Sequence, residues 1–178
     1  MNKRQKKTRK IAFLGLFTAV AMLLSYIEAL SPVLITAIPG IKMGLPNVAV
    51  IFVLYRFGAW EAALVSLVRV IVISLIFGNP MTFIYSIVGA MLSLAVMVIL
   101  KKTDLLSCVG VSVAGGVFHN VGQILVAMFL LGAAEVGYYL IVLAVSGVIS
   151  GILIGLCGAL MIKKLPDFIV RQLFLIRK

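Results

Sequence analysis

Charged side chains are scarce in this sequence. Only 12% of its 178 residues are Asp, Glu, Lys or Arg, whereas a soluble domain normally carries about 25%. Apolar residues make up 63% of the chain and form long runs, of which Trp60–Phe77 is one. This composition excludes an ordinary soluble domain, and it predicts an all-α protein that crosses a membrane several times.

Catalytic and metal-binding motifs are also lacking. The sequence has no G-x-x-x-x-G-K-[ST] phosphate loop, which excludes the ATP-hydrolysing part of a pump, and no HExxH or GxSxG motif. Its single histidine, two isolated cysteines and five widely spaced acidic residues form neither a metal-ligand pattern nor a paired-carboxylate site. We therefore expect no enzymatic activity, no resident metal and no cofactor.

The apolar residues fall into six segments of helical length. The first is long for a signal peptide core and no clear cleavage site follows it, so we expect it to be retained. The connection 31–46 is interrupted by prolines and glycines, yet it is too apolar for a solvated linker, so we expect a lid or re-entrant segment. The predicted domains are a basic N-terminus 1–10, a transmembrane domain 11–162 and a basic tail 163–178. The predicted helices are Ile11–Leu30, Pro46–Phe57, Trp60–Phe77, Met81–Leu100, Leu105–Leu131 and Val136–Met161.

The Lys and Arg residues orient these segments. With the N-terminus inside, every Lys and Arg except Lys42 and Arg69 falls in a cytoplasmic segment. The positive-inside rule therefore predicts a six-helix bundle in a bacterial cytoplasmic membrane, with both termini in the cytoplasm. A basic run can also bind nucleic acid. Beside an apolar segment, however, it is typical of a topology signal and of attraction to anionic lipids, so we expect no nucleic acid partner.

One cation, Arg69, lies near the middle of an apolar segment. A charge at mid-bilayer costs roughly 3 kcal/mol or more, so Arg69 should face a partner or a watery cavity. Most other strongly polar side chains fall in the outer half of the predicted bundle, which indicates a solute pocket that opens outward. Alternatively, these groups only hydrogen-bond between helices. The candidate substrate-binding residues are Glu28, Asn47, Arg69, Asn79, Tyr85, His119, Asn120 and Gln123.

Small residues recur at a spacing of four in the first and last helices. The stripe of Gly147, Gly151 and Gly155 favours close packing within the bundle. In the first helix, Gly15 and Ala19 lie among apolar neighbours with no polar lining nearby. That pattern suits the docking of a separate membrane subunit, although packing within the bundle is an alternative.

Three stretches resemble the substrate-binding S components of energy-coupling-factor (ECF) transporters. They are RKIAFLGLFTAVAMLLSYIEAL, PGIKMGLPNVAVIF and LVRVIVISLIFGNPMTFIYSIVGAML. The resemblance covers about residues 8–165. It is closest to the branch described as the Gx transporter family or heptaprenyl diphosphate synthase component I.

The resemblance implies a fold and partners. S components have six helices and a solute site near the outer face, under the connection between the first two helices. They dock through small residues of the first helix to a membrane T component, which couples to two ATPases, and the S component is thought to topple to deliver its solute. Gly15 and Ala19 match the docking positions, although the family often has Ala at both.

Three functional hypotheses follow. The leading one is an S component for a small anionic vitamin, flavin or quinone/isoprenoid precursor, in which Arg69 and His119 suit the anion and Tyr85 suits a ring. The second is a non-catalytic membrane partner of a heptaprenyl diphosphate synthase, because the aspartate-rich motif of prenyl transfer is missing. The third is a stand-alone secondary transporter, against which stand the lack of an obvious inverted repeat and of a carboxylate relay.

Overall fold

The structure is a computed structural model that describes residues 3–30 and 43–165. These residues form six α-helices and one short 3₁₀-helix, Ala134–Tyr138, which confirms the all-α prediction for the described chain. The predicted lid falls mostly on residues 31–42 and most of the basic tail lies beyond residue 165, so both lie outside the described residues. The α-helices are α1 (Lys3–Leu30), α2 (Asn47–Arg56), α3 (Ala59–Phe77), α4 (Pro80–Thr103), α5 (Cys108–Leu131) and α6 (Tyr139–Lys164).

Five helical segments of the described chain are long and apolar enough to cross a membrane. The chain is therefore a multi-pass membrane protein. The exception is α2, whose ten residues span about 15 Å, roughly half of a hydrocarbon core of about 30 Å. A sixth crossing and the cytoplasmic location of both termini remain predictions.

The short helix α2 supplies much of the buried core. Six consecutive residues of α2, from Ala49 to Leu54, are buried, and Phe52 and Val53 are fully enclosed. A helix that is apolar on every side is stable only when protein surrounds it on every side. The packing partners of α2 are α1, α3 and α6.

The five helices from α2 to α6 form a closed ring. Around the ring, α2 packs on α3, α3 on α4, α4 on α5, α5 on α6, and α6 again on α2, while α1 lies outside against α2 and α3. Because α2 is about half as long as the other members, its N-terminal end lies within the bundle rather than at its surface. Polar groups at that end are therefore enclosed by the longer helices.

Two partly buried cations fix the C-terminal end of α2. The guanidinium of Arg56 donates to the carbonyl oxygens of Ile162 and Leu165 at the end of α6. The ammonium of Lys101, from α4, donates to the carbonyl oxygen of Leu54 over 2.6 Å. Cations placed there satisfy carbonyl groups that have no partner inside their helix, and they complement the helix dipole. We call this end of the bundle the basic end.

The helix α1 attaches to the ring through one face. The ring of Phe17 stacks on that of Phe52, with centroids 4.7 Å apart, and Lys10 forms a salt bridge with Glu61 at the basic end. α1 begins at Lys3, so the basic N-terminal run continues the first span as helix instead of forming a separate segment.

Glycines allow α5 to approach both of its neighbours. A Cβ atom on Gly116 would lie 2.5 Å from the carbonyl oxygen of Gly147, and a Cβ on Gly151 would lie 2.5 Å from the Cα of Val113. On the other side, a Cβ on Gly122 would lie 2.8 Å from the Cα of Gly89 in α4. The prediction that the small residues of α6 pack within the bundle is confirmed.

Candidate functional site

Arg69 is buried in the middle of α3. Its side chain is only 8% exposed, and its Nε atom has no hydrogen-bond partner among the described residues. Arg69 lies about 15 Å along α3 from Ala59, and Asn47 lies about 14 Å along α2 from Arg56. Because α2 and α3 run antiparallel from the basic end, Arg69 is level with the N-terminal end of α2.

Glu28, near the C-terminal end of α1, lies close to Arg69 and to the N-terminal end of α2. It is buried, its Oε1 atom accepts a hydrogen bond from the backbone nitrogen of Gly44 over 2.6 Å, and its charge acts on Arg69. Gly44 has a φ of +69°, and a Cβ there would lie 3.3 Å from the side-chain nitrogen of Asn47. The structure therefore brings Glu28, Asn47 and Arg69 to one junction of three helices.

His119 and Gln123 share the face of α5 that packs on α4. A Cβ on Gly89 would lie 3.2 Å from the His119 Cε1 and 3.1 Å from the Gln123 Cγ. Gly89 is about 14 Å from the start of α4, and Arg69 is about 12 Å from the end of α3. Since only Gly78 and Asn79 connect these two helices, His119 and Gln123 lie at the depth of Arg69.

Tyr85 occupies the same face of α4 one turn earlier, because it is four residues before Gly89. Its side chain is partly buried. Tyr85 is thus about 6 Å along α4 from Gly89, toward the end that is opposite to the basic end. This position suits the proposed contact with a ring, which remains a prediction.

Asn120 faces a different neighbour. Its buried side-chain nitrogen donates to the carbonyl oxygen of Leu143 in α6 over 2.6 Å, and the same nitrogen is 3.0 Å from the Cβ position of Gly147. This hydrogen bond links α5 to α6. It agrees with the alternative hypothesis that the polar side chains only hydrogen-bond between helices. The structure does not bring Asn120 to the α4 face with His119 and Gln123.

Asn79 caps α4 at the end of the bundle opposite to the basic end. Its Oδ1 atom accepts from the backbone nitrogen of Thr82 over 2.8 Å, and the Thr82 hydroxyl accepts from the backbone nitrogen of Asn79, also over 2.8 Å. This reciprocal pair is a capping box. Asn79 is exposed and lies about 14 Å along the bundle from Gly89.

We expect Asn79→Ala to lower the free energy of unfolding by about 1 kcal/mol, because the substitution removes the cap of α4. Thermal unfolding in detergent measures this change. Asn79→Ser keeps a capping oxygen and should restore most of the stability. Loss of bound solute without loss of stability in Asn79→Ala would contradict a purely structural role.

Two glycines that shape this region are not among the residues predicted from the sequence. Gly89 is where α4 approaches His119 and Gln123, and Gly44 donates its backbone N–H to Glu28. For Gly89 the available signal was its position inside an otherwise apolar helix, because such a glycine usually has a packing reason. Among the described residues, no group of three His, Cys, Asp or Glu could hold a metal ion.

The predicted docking residues lie on the outside of α1. Gly15 and Ala19 are both exposed. Apart from its chain neighbours and its own helix backbone, no atom of the described residues lies within 4 Å of the position of a Cβ on Gly15. Neighbouring apolar side chains on this side are exposed as well, with Ile11 at 60% and Leu16 at 58%. This face of α1 is therefore open to lipid or to another membrane protein.

The chain is similar to one described family of proteins. A family model described as heptaprenyl diphosphate synthase component I matches residues 17–161. No curated protein and no solved structure matches the chain. The match includes all of α2, α3, α4 and α5, the second half of α1 and most of α6.

Proposed function

The chain belongs to the heptaprenyl diphosphate synthase component I family, and from that premise we propose that it is the solute-binding membrane subunit of an ECF-type uptake transporter. Its solute is a small organic anion of the vitamin, flavin or quinone/isoprenoid-precursor type. The chain itself is not an enzyme. It works in the cytoplasmic membrane of a bacterium, with its solute site open to the outside.

A single observation carries this proposal, namely the buried Arg69. An arginine at mid-depth is expensive in a membrane and usually marks a solute or ion site. Its Nε atom has no hydrogen-bond partner among the described residues, so it is available to an anion. Glu28, Asn47, His119 and Gln123 lie at or near its depth and supply further polar groups.

The exposed face of α1 supports the proposal that the chain docks to the other subunits of a transporter. An S component passes its solute on only when it docks to a T component and two ATPases. Gly15 and Ala19 would let a helix of that partner approach closely. The basic residues at the start of α1 would contact anionic lipids.

We expect protein purified from membranes to retain a small molecule that Arg69→Gln does not retain. The substitution removes the cation and both parallel donors of the guanidinium. Native mass spectrometry of the detergent-solubilised chain measures the retained mass. The matched control is Ser66→Ala, a buried position one turn away on α3, which should retain the molecule. Equal retention by Arg69→Gln and the unaltered chain would refute the assignment of Arg69.

The family description favours a second function. A chain described as component I of a synthase implies a partner that carries out prenyl transfer, and the chain could be the membrane partner of that enzyme. Co-purification from native membranes separates the two functions. A membrane T component with ATPases supports transport, whereas a soluble prenyl diphosphate synthase supports the alternative.

A further inference from the structure

The charge around Arg69 limits which anion the site can accept. Building on the proposed function, we infer that the solute carries one negative charge, a carboxylate, and that this group binds the guanidinium of Arg69 beside the N-terminal end of α2. Solutes with a diphosphate are excluded from the site. The inference narrows the proposed solute classes to monoanions.

Arg69 is the only buried Lys or Arg among the described residues. The partly buried cations Arg56 and Lys101 already bind backbone carbonyl oxygens at the basic end. Lys10 is in a salt bridge with Glu61, also at that end. The described part of the bundle therefore offers one cation at mid-depth, and the others are held about half the height of the bundle away.

Glu28 already places a negative charge near Arg69. Its carboxylate acts on Arg69 and accepts the N–H of Gly44. A second carboxylate, from the solute, is partly balanced by the N-terminal end of α2, which carries about half a positive charge. A diphosphate adds two or more negative charges, and a buried charge without a compensating partner is strongly unfavourable.

The form of the arginine also favours a carboxylate. The guanidinium presents parallel N–H groups that match the two oxygens of a carboxylate. The Nε atom of Arg69 has no partner among the described residues, so its N–H can donate to one of these oxygens. The ten-residue helix α2 begins at the same depth, and helix N-termini favour anions.

Two probes with similar hydrocarbon parts test this inference. The full chain, purified with its retained molecule, is incubated with 4-methylpent-4-enoate, a monocarboxylate, or with isopentenyl diphosphate at equal concentration. Native mass spectrometry then measures the displacement of the retained molecule, whose own identity is determined after release. We expect the released molecule to carry a single anionic group, and we expect displacement by the carboxylate at a concentration at least about tenfold below that of the diphosphate.

The variant Glu28→Gln tests whether the negative charge of Glu28 causes the exclusion of diphosphates. It keeps an oxygen for the N–H of Gly44 but removes the negative charge, so displacement by the diphosphate should improve at least about tenfold. Arg69→Lys keeps the charge but not the paired donors, and retention should fall.

The outcomes are distinguishable. A released diphosphate, or displacement that does not favour the carboxylate, overturns this inference and leaves the proposed function standing. A released molecule without a negative charge overturns the inference and the assignment of Arg69. If no molecule is retained by the unaltered chain, the proposed function itself fails.

Discussion

Leucine at Gly116 is expected to unfold the bundle, whereas leucine at Gly15 is expected to leave it intact. The two glycines lie in long apolar helices, but their surroundings differ. A Cβ on Gly116 would lie 2.5 Å from the carbonyl oxygen of Gly147, whereas a Cβ on Gly15 would meet no described atom within 4 Å beyond its chain neighbours and its own helix backbone. The same substitution therefore tests the contact between α5 and α6 against a matched open position.

The expected difference is large because the clash at Gly116 is with backbone. A flexible side chain could move aside, but a helix backbone must be displaced as a whole, so the loss should reach about 3 kcal/mol or more. At Gly15, replacing glycine in a helix with leucine should instead be neutral or favourable by up to roughly 0.8 kcal/mol. Thermal unfolding and size-exclusion profiles in detergent measure both effects. Equal stability of the two variants would contradict the packing of α5 on α6.

The second large effect concerns the partner subunit. We expect Gly15→Leu to abolish co-purification of the membrane partner and to leave both stability and solute retention unchanged. A bulky side chain on a small-residue face prevents close approach of another helix, so the amount of partner recovered should fall at least about tenfold. Quantitative mass spectrometry of affinity-purified complexes from native membranes measures that amount.

Two further variants make this test specific. Ala19→Leu enlarges the next small residue on the same face and should reproduce the loss. Ala95→Leu enlarges an exposed alanine on α4 and should have no effect on partner recovery. If all three variants recover the same amount of partner, the docking surface lies elsewhere on the protein.

Much of the fold could be predicted from the sequence. The long apolar runs predict the membrane helices, and Gly132, with φ of +61° at the end of α5, and Asn79 at the start of α4 mark helix ends by local chemistry alone. The ambiguous segment was α2. An apolar run of this length does not show by itself that the helix is enclosed, and its burial is visible only in its packing against α1, α3 and α6.

The candidate site also separates what the sequence predicts from what only the structure shows. The spacing of four predicts that His119 and Gln123 share a face of α5, and the structure places both beside Gly89. Asn120 is three residues before Gln123, a spacing that also makes two side chains neighbours on a helix, but its side chain donates to the carbonyl oxygen of Leu143 in α6. Spacing fixes angles within one helix and carries no information about which neighbouring helix each face meets.

The sequence by itself determined that this is a membrane protein of long helices, with an arginine in the middle of one of them. These features follow from the cost of exposing backbone and charge to lipid, which acts on each segment separately. The tertiary structure decided that α2 begins at the level of Arg69, that the charge of Glu28 acts on Arg69, and that glycines bring α4, α5 and α6 together. Those contacts join residues far apart in the chain, so they depend on how whole helices pack.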